Sequence, residues 1–157
     1  MSDLSESAVT TELDRLGASL GRPLSVVETT ASTNDDALAA MAEGAPHGAT
    51  IAADAQTRGR GRGGHAWHSP PGENLTFSVV LRPAIAPSQI AAVTLALGLA
   101  VARGVERALP SRSIEARIKW PNDVFVAGQK IAGLLVEGRL RGASLLGLVA
   151  GVGVNVA

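Results

Sequence analysis

The order of apolar and polar positions divides this chain into short helical and extended stretches with brief connections between them. Val9, Leu13 and Leu16 recur at helical spacing, which predicts a helix over 5–19 that Gly17 and Gly21-Arg22-Pro23 bring to an end. Leu24 to Thr29 reads as a strand. Ser32 then has the character of an N-cap, with Asp35 and Asp36 in the first turn and Gly44 past the end, so a second helix is expected over 33–43. Thr50 to Asp54 and Leu75 to Leu81 read as strands on either side of an Arg/Gly-rich loop. Pro87 and Ser88 open the longest predicted helix, which runs to Leu109 and stops at Pro110. Glu115 to Lys119 is expected to be a strand leading into Trp120-Pro121-Asn122-Asp123, and two more β-runs, 130–139 and 143–155, join through a tight turn at Arg141-Gly142. Helices segregated from hairpins predict an α+β fold: a mixed, largely antiparallel sheet with packed helices.

At 157 residues the chain suits one domain, 1–157, with 1–23 as an N-terminal helical extension. A hydrophobic share of 46% against 18% charged residues is that of a globular protein. With no Tyr and two Phe, the core must be built from Ala, Val, Leu and Ile. The absence of cysteine excludes disulfides and thiolate chemistry and suits a reducing compartment, so a cytoplasmic location is expected. The acidic N-terminus lacks a signal-peptide pattern, and the apolar run near 90–102, broken by Gly98 and followed by Arg103, reads as too short for a membrane span. Formal charge is zero but uneven: residues 1–56 carry nine acids and two bases, whereas 57–157 carry five acids and twelve bases. The second part is the expected home of an anionic ligand.

Arg58-Gly59-Arg60-Gly61-Arg62-Gly63-Gly64-His65-Ala66-Trp67 packs three guanidiniums into five residues and threads them with glycine, a poor basis for helix or strand. It predicts a mobile lid that orders around a phosphate or carboxylate. It lacks the repeats of an RNA-binding Arg-Gly box, so no nucleic-acid partner is expected, and it is neither a Walker loop nor a dinucleotide fingerprint. Lys119 precedes Trp120-Pro121 at a strand end, where a point charge can face a ligand carboxylate or phosphate. Capping needs only Ser32, which leaves Thr33 and Asn34, with Gln56, to bond a ligand bearing both donors and acceptors, such as a urea. Gly133, and Gly151 with Gly153, leave one sheet face bare, either for a flat ligand or for close helix packing. His47, His65 and His68 form no spaced metal set, and no nucleophile motif stands among them.

In this order the motifs resemble the catalytic domain of bacterial biotin–protein ligases. The resemblance runs from Ser32-Thr33-Asn34 through Gln56, the Arg/Gly loop and Trp67, Ser69-Pro70 and Asn74-Leu75 to Lys119-Trp120-Pro121-Asn122-Asp123, Lys130-Ile131-Ala132-Gly133 and Gly151–Asn155. It implies an ATP-dependent ligase that activates biotin to biotinyl-5′-AMP, with ATP and Mg²⁺, and passes the biotinyl group to a lysine on the biotin carboxyl carrier domain of a biotin-dependent carboxylase. It allows a homodimer. It implies biotin contacts at Ser32, Thr33, Asn34, Gln56, Gly59, Arg60, Gly61, Arg62, Lys119 and Gly133. Nucleotide contacts are implied at Arg60, Arg62, Trp67, Asn122, Lys130 and Asn155, the last near the metal and phosphates, and catalytic roles at Lys119 and Arg62, with no residue assigned as a metal ligand. A chain ending at Ala157, with few residues before the match, is expected to lack the DNA-binding domain of some members and the C-terminal barrel. The loop departs from the family in having Gly63 and His65 where basic residues are common. A lipoate or octanoate ligase or transferase is the alternative within enzymes, and a non-catalytic biotin- or nucleotide-binding module the alternative outside them.

Overall fold

The computed structural model describes residues 5–111 and 114–156. Helix α1 (Glu6–Arg15) starts where Ser5 Oγ accepts from Ala8 N, and it ends four residues earlier than the spacing predicts, because Gly17 turns into positive φ (60°). Strand β1 (Leu24–Thr30), helix α2 (Thr33–Ala42), strand β2 (Thr50–Gln56) and strand β3 (Asn74–Leu81) follow. Helix α3 (Ile90–Ala108) is entered through a 3₁₀ turn at Pro87–Gln89, where Gln89 Oε1 accepts from Ala86 N. Four strands complete the order: β4 (Ala116–Lys119), β5 (Asp123–Val126), β6 (Gln129–Arg141) and β7 (Ser144–Asn155). Strand β5 escapes the sequence pattern, although Val124-Phe125-Val126 is a β-branched and aromatic run. Ala127 (φ 49°) and Gly128 (φ 80°) then form the tight turn into β6.

The seven strands form one sheet in the order β1-β2-β3-β7-β6-β5-β4. Only β1 and β2 run parallel and every other neighbouring pair is antiparallel, as the α+β reading expects. Period-two alternation gives the sheet two unlike faces. In β3 and β7 the residues Phe77, Val79, Leu81, Leu148, Ala150 and Val152 pack towards α3, with Ile90, Val93, Leu97, Val101 and Ala102. Val80 and Val149 face the other way, onto Ala37 and Met41 of α2, and on that second face β3 also presents the buried hydroxyls of Thr76 and Ser78. This cluster of buried hydroxyls on one face marks where a site can form.

The apolar run before Arg103 lies inside the long helix expected from Pro87 to Leu109. Pro87–Ala108 is a 22-residue helical segment, long and apolar enough to span a membrane by length and composition, which corrects the expectation of a run too short for that. It rests Gly98 and Ala102 against the sheet and leaves Leu95 and Leu99 exposed.

Leu148 is fully buried in the α3-side core, so Leu148→Ala should lower unfolding stability by about 2–5 kcal/mol through lost contacts and a residual cavity. Urea unfolding with an unchanged slope would measure this.

Candidate active site

The start of α2 is built differently from what its sequence suggests. Ser32 holds the N-cap position but makes no capping bond with its side chain. Gln56, at the end of β2, caps the helix instead: its Oε1 accepts from Thr33 N at 2.8 Å and lies 3.1 Å from Thr33 Oγ1. Among the described residues the swap leaves the buried Ser32 hydroxyl and the Gln56 Nε2 donors without a hydrogen-bond partner, while Thr33 and Asn34 are engaged. Asn34 Nδ2 donates to Glu137 Oε2 (2.7 Å) and to Leu135 O (3.3 Å), and its Oδ1 accepts from Ser78 Oγ (2.7 Å). Asn34 can sit there because Gly151 has no side chain; an added Cβ would lie 2.0 Å from Asn34 Oδ1.

A single row of cross-strand partners crosses the whole sheet beside this helix: Val27, Ala53, Thr76, Gly153, Gly133, Asp123 and Lys119. Its centre is the directly opposed pair Gly133 and Gly153. Trp67 lies flat on this bare patch, and a Cβ on Gly153 would come within 2.3 Å of its ring. The flat group on the glycine strip is thus the chain's own indole, while α2 takes the positions over Gly151 and, through Met41, Gly147. Trp67 Nε1 is buried and has no hydrogen-bond partner among the described residues. Lys130 Nζ stands 5.5 Å from the Trp67 ring centroid and 2.8 Å from Asp123 Oδ1.

The Arg/Gly loop is not shapeless. Trp67 N donates to Gly59 O and Gly61 N to His65 O, which folds 59–67 into a small hairpin with a 3₁₀ turn at Arg62–Gly64. Gly59 is needed at its base, since a Cβ there would meet Trp67 O at 2.4 Å. Arg60 grips Glu137 with two parallel bonds (Nη1 to Oε1, 3.0 Å; Nη2 to Oε2, 2.7 Å) and reaches Asp35 Oδ1 at 2.6 Å. Burial pulls its pKa down, but the hydrogen bond and charge of Glu137, reinforced by Asp35, more than offset this and hold it above the ordinary arginine value. Arg62 forms no ion pair among the described residues.

Loop, helix start and glycine strip enclose a cavity of about 310 Å³. Ser32, Thr33, Asn34, Gln56, Arg60, Gly61, Arg62, Trp67, Asn122, Lys130 and Gly133 all line it. Gly59, Lys119 and Asn155 do not. Lys119 ends the cross-strand row on the edge strand, with Nζ 5.1 Å from the Phe125 ring centroid. Asn122 ties its turn to β6, its Nδ2 donating to Leu134 O, and Asn155 Nδ2 donates to Lys130 O. Asp35, Thr76, Ser78 and Glu137 complete the site without having been singled out from the sequence. Three of them were within reach of strand periodicity, since Glu137 stands four positions after Gly133, and Thr76 and Ser78 alternate with Phe77 and Val79.

The chain matches the profile of the "Biotin/lipoate A/B protein ligase family" over residues 26–155. It is 40% identical over 144 residues to the biotin–[acetyl-CoA-carboxylase] ligase of Mycobacterium tuberculosis, covering 90% of this chain and 52% of that one. With the bifunctional ligase/repressor BirA of Bacillus subtilis it shares 35% over 137 residues, 87% of this chain and 41% of that protein. Among solved structures it resembles the Leishmania major biotin protein ligase in complex with biotinyl-5-AMP (TM-score 0.72, 30% identity, 87% of this chain and 58% of that one). It also resembles the Aquifex aeolicus biotin protein ligase in complex with biotin and ATP (TM-score 0.67, 31% identity, 86% and 53%). The chain spans about half the length of these relatives.

Because the Gly133–Gly153 patch is what seats the indole, Gly153→Ala should expel it while the sheet stays folded. In a Trp120→Phe background, tryptophan emission should shift to the red with far-ultraviolet circular dichroism unchanged; an unshifted spectrum would mean that Trp67 is seated by something else.

Proposed function

The chain belongs to the biotin/lipoate A/B protein ligase family, and on that basis we propose that it forms biotinyl-5′-AMP from biotin and MgATP and passes the biotinyl group to a carrier lysine. The observation that carries this reading is the make-up of one cavity. Uncommitted amide and hydroxyl groups (Gln56 Nε2, Ser32 Oγ), an aromatic plate (Trp67) and two cations (Arg62, Lys130) line the same space of about 310 Å³. A ureido ring needs donors and acceptors, an adenine needs a flat apolar surface, and an acyl phosphate needs fixed positive charge.

In the first step a biotin carboxylate oxygen bonds to the α-phosphorus of ATP and the bond to pyrophosphate breaks. Two anions must approach, so the work of this chain is to offset their repulsion and hold them in line. Arg62, which lines the cavity and has no ion pair among the described residues, receives the phosphate oxygens in this reading, and Lys130 lines the same cavity with its charge shared by Asp123. Lys119 is assigned the rim of the row, one strand beyond Asp123, as a further cation drawn towards the reacting groups. Gly61 lines the cavity without a side chain, Gly59 and Gly133 make room for Trp67, and Asn122 and Asn155 brace the turns around the nucleotide. In the second step a neutral lysine amine attacks the acyl carbonyl and AMP leaves. The acceptor required is the biotin carboxyl carrier domain of a biotin-dependent carboxylase, met in the cytoplasm. A homodimer is compatible with this role.

Among the described residues no three His, Asp or Glu side chains cluster to hold a metal. In this proposal Mg²⁺ therefore arrives as part of the MgATP substrate, carried by phosphate oxygens. There it would neutralise the departing pyrophosphate.

Biotin should stimulate pyrophosphate release from ATP, whereas lipoate and octanoate should not. Release driven equally by lipoate would transfer the assignment to the other branch of the family, and binding of biotin without release would leave a non-catalytic module. Arg62→Ala should slow release by about 10²–10³-fold, the usual effect of losing one transition-state charge partner. Lys119→Ala should also slow it, and a wild-type rate there would remove Lys119 from the mechanism.

A further inference from the structure

Arg60 carries the family's anion-binding label, yet its surroundings suit a different task. Its guanidinium is occupied by two carboxylates from two different elements, Asp35 in the first turn of α2 and Glu137 in β6. The three side chains together carry one net negative charge, so an incoming anion meets no surplus cation there. Glu137 also fixes Asn34: a carboxylate can only accept, so the amide must turn its Nδ2 towards Glu137 and leave Oδ1 to Ser78. One carboxylate thus joins the loop, the start of α2 and the sheet.

We propose that Glu137, aided by Asp35, is a positioning residue that holds Arg60 as a latch, keeping the Arg58–Trp67 loop closed over the cavity and leaving Arg62 as the loop's anion receptor. The latch itself needs no particular ligand. Only the naming of the anion as an acyl-adenylate rests on the ligase reading.

The loop supplies its own assay, because Arg58 and Arg62 are trypsin sites. Glu137→Gln keeps the shape of the side chain and removes its charge. In the ligand-free 157-residue chain it should speed cleavage after Arg58 and Arg62 by about three- to tenfold, the range for a part-exposed, doubly bonded ion pair. Cleavage after Arg103, within α3, should stay at its wild-type rate. Arg60→Gln should have the same effect, and the double variant should be no faster than either single one. About 0.5 M salt should bring wild type towards the variants by screening. Wild-type cleavage of the Glu137→Gln loop would overturn the proposal. So would an equal rise at Arg103, which would mean general loosening, or additive effects of the two substitutions, which would mean that they act separately. Biotin-dependent pyrophosphate release, measured on the wild-type chain, tests the ligase reading on its own: its absence would remove that reading and leave the proteolysis result standing.

Discussion

The opposition of two residues without side chains, Gly133 and Gly153, is the constraint on which the rest of the site depends. Glycine in adjacent strands weakens a sheet, because it adds conformational freedom and packs nothing. Here the loss is offset by an indole laid across both residues, so the loop becomes part of the sheet's cover. The pair lies in the middle of a row that touches every strand, and β6 and β7, of 13 and 12 residues, hold it in register on either side. Any side chain at the centre of that row would remove the seat of Trp67 and the depth of the cavity together.

Around this patch the positive charges divide into two kinds. Arg60 and Lys130 are ion-paired with carboxylates of the fold and serve to fix geometry as much as to attract. Arg62 has no ion pair among the described residues. Charge of the first kind is ordered in advance, which lowers the reorganisation needed when an anionic reaction centre forms. Charge of the second kind supplies the attraction itself. A loop carrying only uncommitted arginines would repel itself open; one with all of them paired would attract nothing.

The arrangement of the sheet was legible where hydrophobic alternation is strong, as in β3, β6 and β7, and the composition of the site was legible through Ser32–Asn34, Gln56, the loop and Lys130. Strand β5 was hidden because Trp120-Pro121-Asn122-Asp123 looks like the end of regular structure, and four residues are too few for alternation to show. The cap exchange at α2 was hidden for a different reason. Ser32 has the right chemistry for capping, but only the parallel register of β1 and β2 brings Gln56 near enough to displace it. The pairing of Arg60 with Glu137 spans 77 positions and has no local signature. Lys119 was legible as a strand end, but its place at the sheet edge follows from the position of β4 in the strand order.

The same cap exchange bears on how far this pocket can be re-specified. Helix α2 is gripped at both ends by side chains from strands or just beyond them: Gln56 on its first backbone N–H, and Arg82 on the carbonyls of Met41 and Ala45. One half of the Gln56 amide is therefore committed to architecture and the other half faces the cavity. A designer seeking a new ligand cannot alter that residue for recognition alone, because each exchange would also release the helix. The adjustable positions are those with no such second duty, Ser32 foremost, and ligand preference in this scaffold should drift through them while Gln56 stays put.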